Sequence, residues 1–255
     1  MEFKNLLQQA DYSLILPNDN ILPLNLIQKK KKGLFSWFRT TEGSLINADL
    51  KDLFILKKRG AAIKLKENKL PEKLTGSDVV NGDGYFTSSI LSKAKLKADA
   101  KLNKAKKVLF TFENAKEIVV NQIQLDEYLQ FAELNSNSPT FSEAVKKGQI
   151  FVITSVLQSN KLKFTNADDF GFKGDLDANA VKEYLSAKAG ASYSDSETYT
   201  ISAKNDTFLT FAIKTVQILF DNNSFKIIPT SMNVRGTDNG SKSNIVLIDS
   251  ELKFE

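Results

Sequence analysis

The densest chemistry in this sequence is cationic. Residues 29–32 are four consecutive lysines, and Gly33, Leu34, Phe35, Ser36, Trp37, Phe38 and Arg39 follow at once. A lysine run is ordinarily a solvated turn. Aromatic rings directly beside it point to an anionic lipid surface, where each lysine near the bilayer contributes about 1 kcal/mol and rings settle at headgroup depth. Lys29, Lys30, Lys31, Lys32, Leu34, Phe35 and Arg39 are therefore the candidate membrane contacts, with Trp37 left to the core. The carboxylates offer less: Glu143, Asp168 and Asp169 have no spacing that argues a paired acid and base or a metal cluster. Gly82, Asp83 and Gly84 lack the third glycine and the helix start of a phosphate loop.

Composition narrows the chemistry further. With no histidine and no cysteine among 255 residues, a Ser-His-Asp triad, a thiol nucleophile, a cysteine zinc site and a disulfide are all excluded. The reading is of a protein that is not an enzyme and uses no metal and no cofactor. A net charge of +5 is mild for a dedicated nucleic-acid binder. The hydrophobic share of 42% and charged share of 25% are those of a soluble chain, long enough for one large domain or two small ones. No apolar run is long enough for a spanning helix, and the start lacks a signal-peptide core, so a cytoplasmic protein is expected.

The elements that must position these residues are mostly strands. Residues 5–10 suit a short helix stopped by Pro17 and the turn Asn18, Asp19, Asn20, and residues 21–39 read as a hairpin around the lysine tip. Between 92 and 102 every position obeys a period of two: Ala94, Leu96, Ala98, Ala100 and Leu102 alternate with Lys93, Lys95, Lys97, Asp99 and Lys101. The return strand covers 104–112. A helix is predicted over 122–134, with Ile123, Leu129 and Phe131 on its apolar face, and another over 141–147. The almost continuous apolar run at 150–157, broken only by Thr154 and Ser155, predicts a central strand buried on both faces, continuing into 161–164. A short helix near 178–186 precedes a second alternating zone at 187–193 and 199–203, and a long strand covers 207–220. The class is α+β, dominated by antiparallel strands.

Two of these segments invite more than a structural reading. The 92–102 face is built from Ala and Leu rather than packed-core residues, and its length suits a tilted strand crossing a bilayer, for which about 9–11 residues suffice. Past the Gly- and Asn-rich residues 233–241, the run Ile245, Val246, Leu247 and Ile248 is too apolar to leave in water, so it reads as a detachable cap beside the second alternating zone. Arg235, followed by Gly236, is the sole Lys or Arg between Lys226 and Lys242 and marks the expected cleavage region.

Four stretches in order, ADYSLILPNDNILPLNLI, KKKKGLFSWFR, QIFVITSVLQSNKLKF and TFLTFAIKTVQIL, give a sequence that resembles the gasdermin family, especially its compact bacterial members. The resemblance implies a twisted central, mostly antiparallel sheet with peripheral helices. It implies a pore-forming body at 1–232, a cleavable linker at 233–243 and a short inhibitory tail at 244–255. A caspase-like protease would remove the tail of an autoinhibited monomer in the cytoplasm. The body would then move to the inner membrane, form a homo-oligomer on anionic lipids and insert two hairpins per subunit, killing the cell in antiphage defence. Bacterial members usually carry an acylated cysteine near the N-terminus. Glu2, Phe3 and Lys4 stand there in this sequence, so no lipid-assisted step is expected. The rival readings are a peripheral membrane or interaction domain that never inserts and, third, a single-stranded nucleic-acid binder.

Overall fold

The computed structural model describes residues 12–29, 43–56, 62–78, 108–135, 139–166, 189–193, 198–203, 207–221, 224–228 and 248–249. Among them the chain runs β1 (Ser13–Asn18), β2 (Asn25–Lys29), β3 (Gly43–Asp49), α1 (Leu50–Leu53), β4 (Phe54–Leu56), β5 (Leu65–Lys69), β6 (Lys73–Asp78), β7 (Val108–Glu113) and β8 (Lys116–Val120). It continues as α2 (Gln122–Gln130), β9 (Ala132–Leu134), α3 (Pro139–Lys146), β10 (Ile150–Ser159), β11 (Lys161–Asn166), β12 (Ala189–Tyr193), β13 (Thr198–Ala203), β14 (Leu209–Asp221), β15 (Ser224–Ile228) and β16 (Ile248–Asp249). The architecture is α+β and mostly antiparallel.

An apolar run without alternation needs cover on both faces, and β10 has it: all ten of its residues are buried. Ile150 and Val152 face a core shared with Leu125 and Leu129 of α2, Ala144 and Val145 of α3, and Phe225. Phe151, Ile153 and Val156 face the other side with Ile15, Ile21, Ile27 and Ile213. The register slips between Ile153 and Ser155, which is why Val156 joins the odd-numbered face. On one edge β10 pairs with β14 along its length. Its other edge is shared: residues 150–152 take β2, and residues 155–158 take β8. The sheet therefore forks at β10 into one wing of β2, β3 and β16 and another of β8 and β5.

The helices are fixed by their ends. Asp49 caps α1 in a reciprocal box, its Oδ1 accepting from Lys51 N at 2.7 Å while Asp52 Oδ2 accepts from Asp49 N at 2.8 Å. The α3 terminus closes through Gly148, whose φ of +62° suits glycine and whose N–H donates to Val145 O at 2.9 Å. Gln149 N donates to Ala144 O at 2.8 Å and delivers the chain directly into β10. A Cβ on Gly148 would stand 2.7 Å from Leu219 Cδ2, so the turn also permits close packing on β14.

Four expectations need correction. The helix predicted over 122–134 ends at Gln130, because Ala132–Leu134 pairs with Phe54–Leu56 as β9 on β4. Its predicted apolar face is also displaced: Ile123 and Phe131 are exposed, and Leu125, Tyr128 and Leu129 are buried. The first strand of the basic hairpin starts at Asn25 rather than Ile21, since Pro23 and Leu24, with φ of 71°, form a turn. The detached tail strand, expected beside the second alternating zone, instead pairs in parallel with β3, Ile248 opposite Gly43 and Asp249 opposite Ser44. The predicted helices at 5–10 and 178–186 and the alternating strand at 92–102 lie outside the described residues.

Candidate functional site

The five-stranded sheet repeats the order of its larger neighbour. Strands β5, β8, β10 and β14 lie side by side in the nine-stranded sheet, and β6, β7, β11 and β13 lie side by side in the same order in the five-stranded one. Each of the four passes directly into its counterpart: β5 into β6 through residues 70–72, β7 into β8 through Asn114 and Ala115, β10 into β11 through Asn160, and β13 into β14 through 204–208. The two sheets are thus one four-stranded ribbon interrupted at a single seam, with β12 added at the edge. The reading of 150–164 as a continuing strand is correct in direction but crosses this seam.

At the end of the ribbon away from the seam, Asp78 pairs with Val108 and Asn166 pairs with Val108 on its other side. Residues 79–107, which contain Ala94, Leu96, Ala98, Ala100 and Leu102, connect β6 to β7 at that end. The second alternating zone forms β12 and β13, which pair antiparallel from Ala189 with Ala203 to Tyr193 with Tyr199. The second alternating zone is therefore part of the half-ribbon, and the first lies in the sequence between two of its strands, β6 and β7. The five inserted-hairpin candidates themselves lie outside the described residues.

The basic hairpin and the tail meet on the other wing. Lys29, the last residue of β2, pairs with Gly43 at the start of β3, and Ile248 of the tail pairs with that same Gly43 from the opposite edge. The base of the lysine tip and the tail are thus adjacent strands. Lys30, Lys31, Lys32, Leu34, Phe35, Arg39, Arg235, Gly236, Ile245, Val246 and Leu247 lie outside the described residues.

A polar knot that the sequence did not announce ties the wing of β8 and β5 to β10 and to the start of β1. The Tyr12 hydroxyl donates to Glu117 Oε1 and is hydrogen-bonded to Ser155 Oγ. Asn68 Nδ2 donates to Glu117 Oε2 at 2.9 Å, and Ser155 Oγ also lies 3.2 Å from Ile118 O, so its one proton is shared between that carbonyl and the tyrosine oxygen. Residues from beside β1 and from β5, β8 and β10 thereby converge on one carboxylate. Burial pushes the Tyr12 phenol well above its ordinary range, and its hydrogen bond to Glu117 pushes the same way. Burial, with the Asp49 carboxylate second, also raises Tyr128, whose hydroxyl donates to Phe54 O at 2.8 Å.

The consequence for stability has a definite sign. Below the free tyrosine value of 10.0 both folded and unfolded chains keep the Tyr12 proton, and the knot contributes in full. Above it the unfolded chain gives up the proton and the folded chain does not, so stability falls as pH rises. Tyr12→Phe is expected to shrink the stability difference between about pH 8 and about pH 11, read by denaturant unfolding, with Tyr128 supplying the remainder. An unaltered alkaline loss in that variant counts against the knot as its source.

The arrangement supplies no catalytic constellation among the described residues. Glu143 is ion-paired with Lys147 one turn along α3. No group of three or more metal-ligating side chains is found there, and no helix is long and apolar enough to cross a membrane, which says nothing of strands. Asp168 and Asp169 lie outside the described residues.

Comparison with known proteins agrees with this geometry. The Bacterial Gasdermin Family matches residues 14–225. A gasdermin of Gillisia limnaea is 27% identical over 222 residues, spanning 86% of this chain and 81% of the relative. Another, from an unknown prokaryotic organism, is 26% identical over 226 residues, spanning 84% and 80%. The solved bacterial gasdermin from Bradyrhizobium tropiciagri shares the fold, with a TM-score of 0.55 at 17% identity over 97% of this chain and 95% of that one.

Proposed function

Because the chain belongs to the bacterial gasdermin family, we propose that it is a protease-activated pore former: inert and monomeric with its tail docked, and membrane-inserting as a homo-oligomer once the linker at 233–243 is cut. Gasdermins are a pore-forming family rather than a family of enzymes. The observation that carries the proposal is the half-ribbon: it contains the second alternating zone as β12 and β13, and the first alternating segment joins two of its strands in the sequence, a pattern that suits a barrel with one face in lipid and one in water. The body would be 1–232 and the tail 244–255. Lysines 29–32 with Leu34, Phe35 and Arg39 would dock the cut protein on anionic lipid at the cytoplasmic face of the inner membrane. A caspase-like protease acting near Arg235 and Gly236 would be the trigger, and lysis of the cell in antiphage defence the outcome.

The edge position of the tail supports autoinhibition by strand addition. A parallel strand laid on β3 occupies backbone groups next to the hairpin that must reach the membrane. The test uses the full chain with a specific protease site placed between Thr237 and Gly240, folded intact and then cut. Cutting is expected to release dye from vesicles of phosphatidylglycerol and phosphatidylethanolamine, while the uncut chain leaves them sealed. Binding without leakage after cutting would replace the pore reading with that of a peripheral membrane domain. Salt-sensitive oligonucleotide binding with no vesicle binding would replace both.

A further inference from the structure

We propose that the seam of the ribbon is a second lock on the resting form, separate from the tail, and that Asn114 sets it. The inference rests on the pore reading, in which the ribbon must straighten for its outer half to carry chain into a membrane. Bonds within each half do not resist that movement. Lys161 and Glu113, paired at 3.0 Å, are cross-strand partners within the five-stranded sheet, and Lys116 and Glu67, also at 3.0 Å, are neighbours within the larger one. Resistance must come from groups that span the seam.

Asn114 spans three of its four crossings. Its φ of +53° lies in the left-handed region, which asparagine tolerates through local side-chain bonding and which no extended strand adopts. Its N–H donates to Glu72 O at 3.0 Å in the β5-to-β6 crossing. Its Nδ2 donates to Asn160 Oδ1 at 3.1 Å in the β10-to-β11 crossing. Beneath it, Ser159 Oγ lies 2.6 Å from Glu113 O and 2.8 Å from Lys161 O, to either of which it donates, and accepts from Lys161 N at 3.1 Å. Phe112 of β7 and Phe211 of β14, one from each half, stack with centroids 3.8 Å apart and planes 13° apart, both 1% exposed. That stack exists only while the halves are folded toward each other. Straightening must therefore return residue 114 to negative φ, break the Asn114 and Ser159 bonds and part the two rings.

The backbone contribution is isolated by comparing Asn114→Val with Asn114→Gly in the full chain carrying the engineered protease site. Both lose the bond to Asn160, but a β-branched residue is penalised at positive φ and glycine is not. After cutting, the Asn114→Val chain is expected to leak phosphatidylglycerol–phosphatidylethanolamine vesicles about tenfold faster than the Asn114→Gly chain, the rate equivalent of that penalty. Equal or reversed rates would overturn the lock. Should Asn114→Val fail to fold, Asn114→Ala takes its place in the same comparison.

A readout independent of leakage uses spin labels at Lys66→Cys and Thr75→Cys, exposed positions on β5 and β6 in a chain with no native cysteine. In the uncut protein the Asn114→Val chain is expected to show a longer-distance population that the Asn114→Gly chain lacks. If no cut form leaks, the pore reading fails and these distances still judge the seam: a longer population upholds the lock, and identical distributions overturn it.

Discussion

Replacing Val246 and Leu247 together by Asp in the uncut chain is expected to produce vesicle leakage without any protease, and to kill the cell that expresses it. The parallel pairing of Ile248 and Asp249 with β3 is too short to hold a body closed by backbone bonds alone, since each contributes only about 0.5–1.5 kcal/mol net. The weight must fall on the apolar run that precedes it, where each aliphatic side chain contributes about 1.5–3 kcal/mol when buried. Two charges in that run remove much of the total, whereas cutting the linker leaves the contacts intact and merely lets the tail depart. A double variant that stays monomeric and inert, alongside a cut wild-type chain that leaks, would show that the tail holds by other residues. If both are inert, the pore reading itself fails.

The second large effect is expected between β6 and β7. If Ala94, Leu96, Ala98, Ala100 and Leu102 face lipid while the intervening lysines face water, then Ala98→Asp should abolish leakage. Lys97→Asp should leave it largely intact. A charge set in hydrocarbon costs about 2–3 kcal/mol in every subunit, and the cost is multiplied around an oligomer; one in a wet lumen costs little. Vesicle leakage by the two cut variants, with sedimentation to establish that both still bind, decides the matter. Equal losses would contradict the assigned faces.

Much of this fold could be read from periodicity because its strands obey it. The run at 150–157 is legible as buried on both faces since no polar residue interrupts it before Thr154, and the long strand Leu209–Asp221 is legible from its β-branched and aromatic residues, Phe211, Ile213, Val216, Ile218 and Phe220. The alternation at 187–203 survived as β12 and β13. What failed was decided at a distance. Nothing local tells Ala132–Leu134 to leave a helix; the partner that takes it is β4, some eighty residues earlier. Pro17 bars a helix, but that it can stand inside β1 follows from where β1 pairs, on the outer edge of β14 with an irregular register between Leu14 and Asn18. The polar knot at Tyr12, Glu117, Ser155 and Asn68 draws on four separate segments, so no window contains it. Asn114 carried no signal beyond its own identity, and its role arises from the crossing it occupies.

The fork at β10 also fixes an order of synthesis. The first strand made, β1, has no partner until β14 exists, and β2, which pairs early with β3, joins the central sheet only when β10 follows, so the sheet closes late in the chain. When Asp221 has been added the central sheet has all its strands except β15 and β16, and Ile248 is still more than two dozen residues away. At about 5–20 residues per second the ribosome covers that distance in roughly one to six seconds. For that interval every new molecule possesses its ribbon and its basic hairpin but lacks the strand that covers β3. The cell that makes this protein is protected during translation by the speed of elongation and by whatever else keeps the ribbon bent.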